Sequence, residues 1–199
     1  CCLEGYPSSA NSYGFNLVRN TFPNIKIAHH THSLAAVKFS LKHRIKTIII
    51  VRHPLDCVAS ILSRRYFSET KRRRLVDLYL YQYINFYRYV LQSNELLMLC
   101  SFKEVVKEPN FFLYRCSNYL NIPMEHQNFA EFDKRVKYEM EAWYKKFDQM
   151  NDGIPLPGNK RSVVRTSIKT SIKKSFLYDE ALQIFNALNF KHREQIIDD

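Results

Sequence analysis

Short apolar runs alternate with helix-like patterns along most of this chain. The runs are short enough for strands of a buried sheet and lie at residues 1–6, 25–29, 47–51 and 96–100. Between them, apolar residues recur every three to four positions, which predicts amphipathic helices over residues 12–20, 34–43, 54–65, 75–91, 102–107, 110–120, 128–147 and 179–188. Strands that alternate with helices predict a single α/β domain over residues 1–199. In it, helices cover both faces of a central parallel β-sheet as a three-layer sandwich.

Two segments of this pattern need separate interpretation. Residues 151–175 contain most of the turn residues and are interpreted as an aperiodic loop. On the predicted helix 75–91, Tyr79, Tyr83 and Phe86 share one face. Such an aromatic stripe is more typical of a hydrophobic core than of a binding platform, so these side chains are predicted to be core.

Composition narrows the classes of partner. The formal net charge of +11 indicates anionic partners, such as a nucleotide, a nucleic acid, a sulfated polymer or a membrane surface. No apolar run reaches the roughly 18 residues that a membrane span needs. The five cysteines are irregularly spaced and match neither a disulfide framework nor a zinc pattern, which favours a reducing compartment and hence the cytoplasm. The sequence begins with Cys1 rather than Met, which leaves open a preceding segment with targeting information.

The end of the third predicted strand carries candidate phosphate-binding chemistry. The run Ile48–Val51 leads into Arg52, Pro54 and Asp56, and Ser60 follows eight residues after the arginine. Pro54 suits the first position of a helix and Asp56 suits its positive end. Arg52 and Ser60 would then present a guanidinium and a hydroxyl to a phosphate monoester. The alternative is that Arg52 pairs with Asp56 and that Ser60 faces the previous helical turn.

The loop after the first strand is a second candidate. Residues 5–12 are rich in small and helix-capping residues, and they lie where a phosphate-binding loop joins a strand to a helix. The Gly-Lys-Ser/Thr of an ATP-hydrolysing P-loop is absent. The hydroxyl and amide groups, with the N–H groups of a helix start, suit a phosphate or a sulfonate. A helix cap with a polar approach loop is the alternative.

Histidines cluster at the end of the second predicted strand, at positions 29, 30 and 32. A metal site is disfavoured because side chains alternate between the two faces of a strand, and because no carboxylate or cysteine stands at ligand spacing. A general base is the better interpretation, since the unperturbed pKa of histidine lies nearest to neutral pH. The alternative is a set of polar residues satisfied at a strand end.

Taken in order, these segments resemble the sulfotransferases that use 3′-phosphoadenosine 5′-phosphosulfate (PAPS). In that family a loop of the form Tyr-Pro-Lys/Arg-Ser-Gly-Thr-Thr-Trp binds the 5′-phosphosulfate, and Tyr6-Pro7-Ser8-Ser9-Ala10-Asn11-Ser12-Tyr13 stands at the same place here. The family's second strand ends in Lys-Thr-His, where this chain has His30-Thr31-His32, and an Arg and a Ser eight residues apart follow its third strand. Segments 99–109 and 112–123 extend the resemblance over residues 1–125.

The resemblance implies a P-loop NTPase-like sulfotransferase fold, with PAPS as the sulfonate donor, the bisphosphate PAP as its product, and no metal. His32 inherits the role of general base, and Arg52 and Ser60 inherit the 3′-phosphate. The other donor-binding residues that it implies are Pro7, Ser8, Ser9, Ala10, Asn11, Ser12 and Tyr13 in the first loop, with Lys160 and Arg161 in the last third. For Lys160 and Arg161, a solvated basic loop is the alternative.

One departure from the family concerns the chemistry directly. The family's Lys or Arg in the first loop, which lies beside the leaving phosphate, is Ser8 here. Losing a fixed cation from a water-poor site costs several kcal/mol of transition-state stabilisation. Either another cation substitutes, or the protein is slow, or it binds nucleotide without turnover.

The expected function is therefore transfer of a sulfonate from PAPS to a hydroxyl or amine acceptor, and the basic surface makes an anionic acceptor such as a polysaccharide a candidate. The first alternative is a catalytically weak or inactive homologue that binds PAP or PAPS. The second is a basic nucleic-acid-binding module, although the chain contains no recognised nucleic-acid motif. A P-loop kinase is the nearest enzymatic rival, and the missing Gly-Lys pair counts against it.

Overall fold

The computed structural model describes residues 1–29, 31–64, 69–93, 97–124, 129–148 and 160–198. Its strands in these ranges are β1 (Cys2–Glu4), β2 (Ala28–His29), β3 (Thr47–Val51) and β4 (Leu97–Ser101). Its helices there are α1 (Asn11–Thr21), α2 (Leu34–Lys42), α3 (Pro54–Arg64), α4 (Glu69–Gln92), α5 (Phe102–Lys107), α6 (Pro109–Leu120), α7 (Phe129–Asp148), α8 (Lys160–Lys173) and α9 (Tyr178–Asp198). No helix of these ranges is long and apolar enough to cross a membrane.

The four strands form one parallel sheet in the order β2-β1-β3-β4. The predicted α/β class with a central parallel sheet is thus confirmed. All five residues of β3 are buried, and successive side chains serve opposite faces: Ile48 and Ile50 join one core cluster, and Ile49 and Val51 the other. A β-branched run of this kind fits a strand that is covered on both faces.

Helices cover both faces of the sheet. The cluster that contains Ile48 and Ile50 is closed by α1, α5, α6 and α7. The cluster that contains Ile49 and Val51 is closed by α2, α3, α4, α8 and α9. The aromatic stripe of α4 belongs to this second cluster, with Tyr83 fully buried and Phe86 3% exposed. The prediction that the stripe is core is therefore confirmed.

Helix α8 corrects the prediction of a loop over residues 151–175, of which 151–159 lie outside the described residues. The interpretation overlooked a tandem repeat: Thr166-Ser167-Ile168-Lys169 is followed at once by Thr170-Ser171-Ile172-Lys173. A period of four places like residues on one helix face. Ile168 and Ile172 are 4% and 0% exposed and pack in the core, so burial of this stripe holds the helix in place.

Helix α9 is also longer than predicted, and its final turns cover the edge of the sheet. The side-chain amide of Gln195 donates to Leu97 O at 2.9 Å and accepts from Leu99 N at 2.9 Å. These two bonds replace the ladder partners that β4 would otherwise lack. The extension beyond residue 188 therefore depends on contact with a strand almost a hundred residues earlier.

Candidate functional site

The carboxyl ends of β1 and β3 open a crevice at the point where the direction of the chain reverses. β1 continues through α1 to β2 on one side of the sheet, whereas β3 continues through α3 and α4 to β4 on the other side. The helices that follow the two strands also lie on opposite faces. Parallel α/β folds bind ligands at such a switch point. Both candidate phosphate-binding segments, the first loop (residues 5–10) and residues 52–53, begin there.

The first loop is tightly wound against the sheet. Ser9 N donates to Tyr6 O at 3.2 Å, and Ser8 and Ala10 have positive φ angles of 72° and 69°. Gly5 has no room for a side chain, because a Cβ there would lie 2.6 Å from both Asn11 Oδ1 and Ile50 O. The Ser8 hydroxyl is buried without a hydrogen-bond partner, as is Asn11 Oδ1. Such orphaned polar atoms in a strained loop are a feature of ligand sites.

Helix α1 begins directly after this loop. Its first intrahelical bond from the loop runs from Gly14 N to Ala10 O at 2.9 Å, so the N–H groups of the first turn point toward the loop. Together with the helix dipole, they favour an anion at the loop.

Arg52 contacts the first loop from the end of β3. Its Nη1 donates to Ser8 O at 2.6 Å, and its guanidinium lies 4.0 Å from the centre of the Phe102 ring. The alternative pairing with Asp56 is not found, because Asp56 Oδ1 lies 2.5 Å from Lys169 Nζ. Burial lowers the pKa of Arg52 from its ordinary value, against the opposing fields of Cys57 and Asp56. Arginine stays protonated despite such a shift, so the crevice keeps a cation.

Ser60, the predicted partner of Arg52 in phosphate binding, lies on α3. Ser60 is 4% exposed, and its carbonyl accepts from the Ser63 hydroxyl at 3.1 Å. The group that approaches this end of α3 is Arg165 of α8, whose Nε donates to Ser63 Oγ at 3.3 Å. The positive charge of Arg165 also acts to lower the pKa of Arg52, so the two guanidinium groups repel each other. An anion between them would relieve that repulsion.

The other predicted donor-binding residues take varied positions. The Ser9 side chain is fully buried and turned to Tyr87 Oη, 3.4 Å away, rather than to the crevice. Pro7 presents its carbonyl to Cys57 Sγ at 3.0 Å. The Tyr13 hydroxyl donates to Asp133 of α7, and burial raises its pKa. Ser12 stands partly exposed on the first turn of α1. The side chains of Lys160 and Arg161 lie outside the described residues.

His32 lies against the first loop, as the sequence order suggests. Its Nδ1 is 2.9 Å from Asn11 Nδ2 and 3.1 Å from Gly5 O. The carboxylate of Glu4, which is fully buried, accepts from Thr31 N at 2.9 Å, from Thr31 Oγ1 at 2.7 Å and from His32 N at 3.0 Å. These bonds hold the positive φ of 48° at His32. His29 stacks on Phe15 instead, with ring centres 3.4 Å apart, and His30 lies outside the described residues.

Two supporting residues were missed in the sequence. Glu4 is an isolated carboxylate within an apolar strand, and that isolation was the available signal. Tyr87 of α4 is also buried: its hydroxyl donates to Ile50 O at 2.7 Å and accepts from Tyr6 N at 3.2 Å. It thereby ties the ends of β1 and β3 together. Its role could not be read from sequence, because its position on α4 marks it only as core.

No metal centre accompanies these residues: the described ranges contain no group of three His, Cys, Asp or Glu side chains that could hold an ion. A polar cavity of about 470 Å³ lies elsewhere, between α4 and α8. It contains none of the predicted site residues and is lined by Val76, Asp77, Ser167, Thr170, Ser171, Lys174 and Ser175. The candidate site is therefore the open crevice rather than this cavity.

Comparison with known proteins leaves the site to be judged on its own geometry, since no family model, curated protein or solved structure matches this chain.

Proposed function

We propose that this chain is a sulfotransferase of the P-loop-like type, which transfers a sulfonate group from PAPS to a hydroxyl or amine acceptor. The observation that carries the proposal is the meeting of three segments in the crevice between β1 and β3. Arg52 donates a hydrogen bond to Ser8 of the first loop. His32 contacts Gly5 of the same loop and Asn11, the first residue of α1. The sequence resemblance depends on these three segments. Each follows a strand, and the carboxyl ends of parallel strands lie at the same edge of a sheet.

The crevice suits a nucleotide with two separate phosphate groups. The N–H groups at the start of α1 and the orphaned Ser8 hydroxyl provide donors for one of them. Arg52 provides a guanidinium group for the other, and Arg165, which bonds Ser63, adds a second positive charge. PAPS, when bound, supplies an activated sulfonate whose leaving group is the bisphosphate. The chain contributes position and fixed positive charge.

Arg52 is our candidate for the cation that the first loop lacks. The Arg52 guanidinium lies 2.6 Å from the carbonyl of Ser8, the residue that replaces the family's Lys or Arg. A positive charge thus remains beside the loop although it comes from another strand. Arg165 would then carry more of the second phosphate, which is the role that the resemblance assigned to Arg52 and Ser60.

A catalytically weak PAP- or PAPS-binding protein is the second candidate, and the geometry at Ser8 favours it. Arg52 is already engaged by the Ser8 carbonyl and by the Phe102 ring, which restricts its approach to a leaving phosphate. A hydroxyl at position 8 can bind a phosphate oxygen, but it cannot neutralise the charge that develops during transfer. Binding would then survive without efficient turnover.

Thermal unfolding with adenosine 3′,5′-bisphosphate tests the binding step. Ligand at about 100 times its Kd adds about 2.7 kcal/mol of stability, which raises the Tm by about 5–10 °C. AMP and ATP should give a smaller shift, and Arg52→Ala should lose the shift. Arg193→Ala, which removes an exposed arginine of α9, serves as the control and should keep it. An equal response to AMP and ATP, or a full response in Arg52→Ala, would contradict the proposed site.

Transfer of labelled sulfonate from PAPS to acceptors then separates the two candidates. For a transferase, His32→Ala abolishes turnover while the Tm shift remains, because His32 moves the acceptor proton and does not hold the nucleotide. A wild-type protein that binds PAP without turnover across hydroxyl and amine acceptors favours the second candidate. A chain that ignores every nucleotide, but binds DNA or RNA with a steep salt dependence, would be a nucleic-acid-binding module instead.

A further inference from the structure

The side chain of Asn11 holds the His32 ring from the first turn of α1. Asn11 is 3% exposed, and its Nδ2 lies 2.7 Å from Gly5 O and 2.9 Å from His32 Nδ1. His32 Nδ1 itself lies 3.1 Å from Gly5 O. These three polar atoms lie within 3.1 Å of one another, whereas Tyr6 O, a further acceptor for Asn11 Nδ2, is more distant at 3.5 Å.

The distances decide where the hydrogens between these atoms lie. Two nitrogens 2.9 Å apart repel unless a hydrogen lies between them. An amide nitrogen always carries two hydrogens, so one can point to Gly5 O and the other to His32 Nδ1, which must then accept. Rotating the amide by half a turn would place Oδ1 2.7 Å from Gly5 O, with two acceptors facing each other and no hydrogen between them. The network therefore selects the first arrangement.

We propose that Asn11 is a positioning residue that holds neutral His32 in the tautomer with its hydrogen on Nε2. A ring nitrogen that accepts a bond cannot also carry the hydrogen, so the other nitrogen must. In this state Nε2 can donate to an anionic oxygen, but it cannot take a proton from an acceptor hydroxyl. Asn11 thus determines which ring nitrogen of His32 carries the hydrogen before any ligand binds.

The consequence for catalysis rests on the proposed function. For His32 to act as a base through Nε2, its hydrogen must move to Nδ1, where Gly5 O stands ready to accept it at 3.1 Å. That change requires the Asn11 amide to release Nδ1. Asn11 therefore acts against transfer in the resting site and favours binding without turnover until the contact is broken.

The tautomer can be read directly by two-bond ¹H–¹⁵N correlation spectra, because protonated and unprotonated ring nitrogens resonate far apart. Spectra are recorded without nucleotide at about pH 8, where imidazoles are neutral. The signals of His32 are assigned by their loss in His32→Ala. The wild-type protein is expected to show predominantly Nε2–H. Predominant Nδ1–H in the unmodified protein overturns the proposal, whatever the activity.

Asn11→Ala provides the second arm. Without the amide, Gly5 O and His32 Nδ1 each lose a partner and can satisfy each other, so the major tautomer is expected to change from Nε2–H to Nδ1–H. Asn16→Ala is the matched control, because Asn16 is on the same helix and its side-chain amide donates to Ser12 O, at 2.8 Å. An unchanged tautomer in Asn11→Ala overturns the assigned cause. If Asn11→Ala does not fold, the wild-type spectrum alone still tests which tautomer His32 adopts.

Activity assays keep the two proposals distinguishable. If the proposed function holds, Asn11→Ala transfers sulfonate faster than the wild type at saturating PAPS. If the tautomer changes as expected and no nucleotide binds to either protein, the positioning role stands and the proposed function fails.

Discussion

Three residues of the crevice have positive φ angles, a backbone conformation that residues other than glycine rarely adopt. Ser8, Ala10 and His32 have φ angles of 72°, 69° and 48°. Each such conformation costs about 1–2 kcal/mol for a residue with a Cβ, and the surrounding hydrogen bonds must offset it. For His32 the offset is visible, because the Glu4 carboxylate accepts from the backbone N–H groups of Thr31 and His32. All three lie in the segments that follow β1 and β2.

Replacing Ala10 by glycine should therefore stabilise the protein. A glycine adopts a φ of 69° without steric strain, so Ala10→Gly is expected to raise the free energy of unfolding by about 1 kcal/mol in urea titrations. Ala35→Gly, in the first turn of α2, is the control and should lower it by about 0.5–1 kcal/mol, because glycine loses more entropy in a helix. A loss of stability in Ala10→Gly would show that the Ala10 methyl group contributes packing that exceeds the strain.

Helix α4 contacts the backbone around the crevice through the hydroxyl groups of its buried tyrosines. Tyr83 donates to Arg52 O at 2.8 Å, and Tyr87 bridges Ile50 O and Tyr6 N. Burial raises the pKa of both phenols, so they remain protonated donors at any ordinary pH. A helix recognised from sequence as core thus also determines the spacing of the two candidate phosphate-binding segments.

Removing one of these hydroxyls should weaken the fold and the site together. Tyr87→Phe leaves Ile50 O and Tyr6 N without that partner in a buried position, which is expected to lower the free energy of unfolding by about 1–3 kcal/mol in urea. The Tm shift with adenosine 3′,5′-bisphosphate should also shrink. Tyr81→Phe, at a side chain 57% exposed on the same helix, should change stability by less than about 0.5 kcal/mol. Equal effects of the two substitutions would mean that the bridge contributes nothing.

Long-range polar contacts hold the sheet edge and the last helix together. Glu104 of α5, which is 3% exposed, accepts from Arg115 of α6 at 3.1 Å and lies 2.7 Å from Nε2 of His192 on α9. Arg115 is 1% exposed and also donates to Leu99 O at 2.9 Å. Buried charges of this kind are tolerated only when they are paired and hydrogen-bonded. The cluster joins three helices to β4, which leads directly into Phe102, the residue whose ring contacts Arg52.

Breaking this buried pair should destabilise the whole domain. Arg115→Met leaves the Glu104 carboxylate buried without its main cation, and the free energy of unfolding is expected to fall by about 3–5 kcal/mol. Arg88→Met is the matched control, because Arg88 pairs with Glu180 at the surface and should contribute less than about 1 kcal/mol. Chemical denaturation of both variants measures the contrast. Similar losses in the two would contradict a structural role for the buried cluster.

Most of the element order could be predicted, because hydrophobic periods of two and about 3.6 residues are local properties. The run Thr47–Val51 and the five helices between residues 54 and 148 follow their patterns within a few residues, apart from an earlier start of α4. Helix α8 was missed although its four-residue repeat is in the sequence, because its polar residues outnumber the isoleucines. Its stability comes from burial of Ile168 and Ile172 against other elements.

In the candidate site, too, local sequence patterns predicted some features and tertiary contacts determined the others. Sequence was sufficient to mark the first loop, Arg52 and His32, because each follows a short apolar run and parallel strands bring their carboxyl ends to one edge. It could not show that Ser9 turns inward, that Arg52 bonds Ser8, or that Arg165 approaches Ser63 from α8. It also could not show that Asn11 binds His32. These contacts join residues 21 to 102 positions apart, and only the packing of helices on the two faces of the sheet brings them within hydrogen-bond distance.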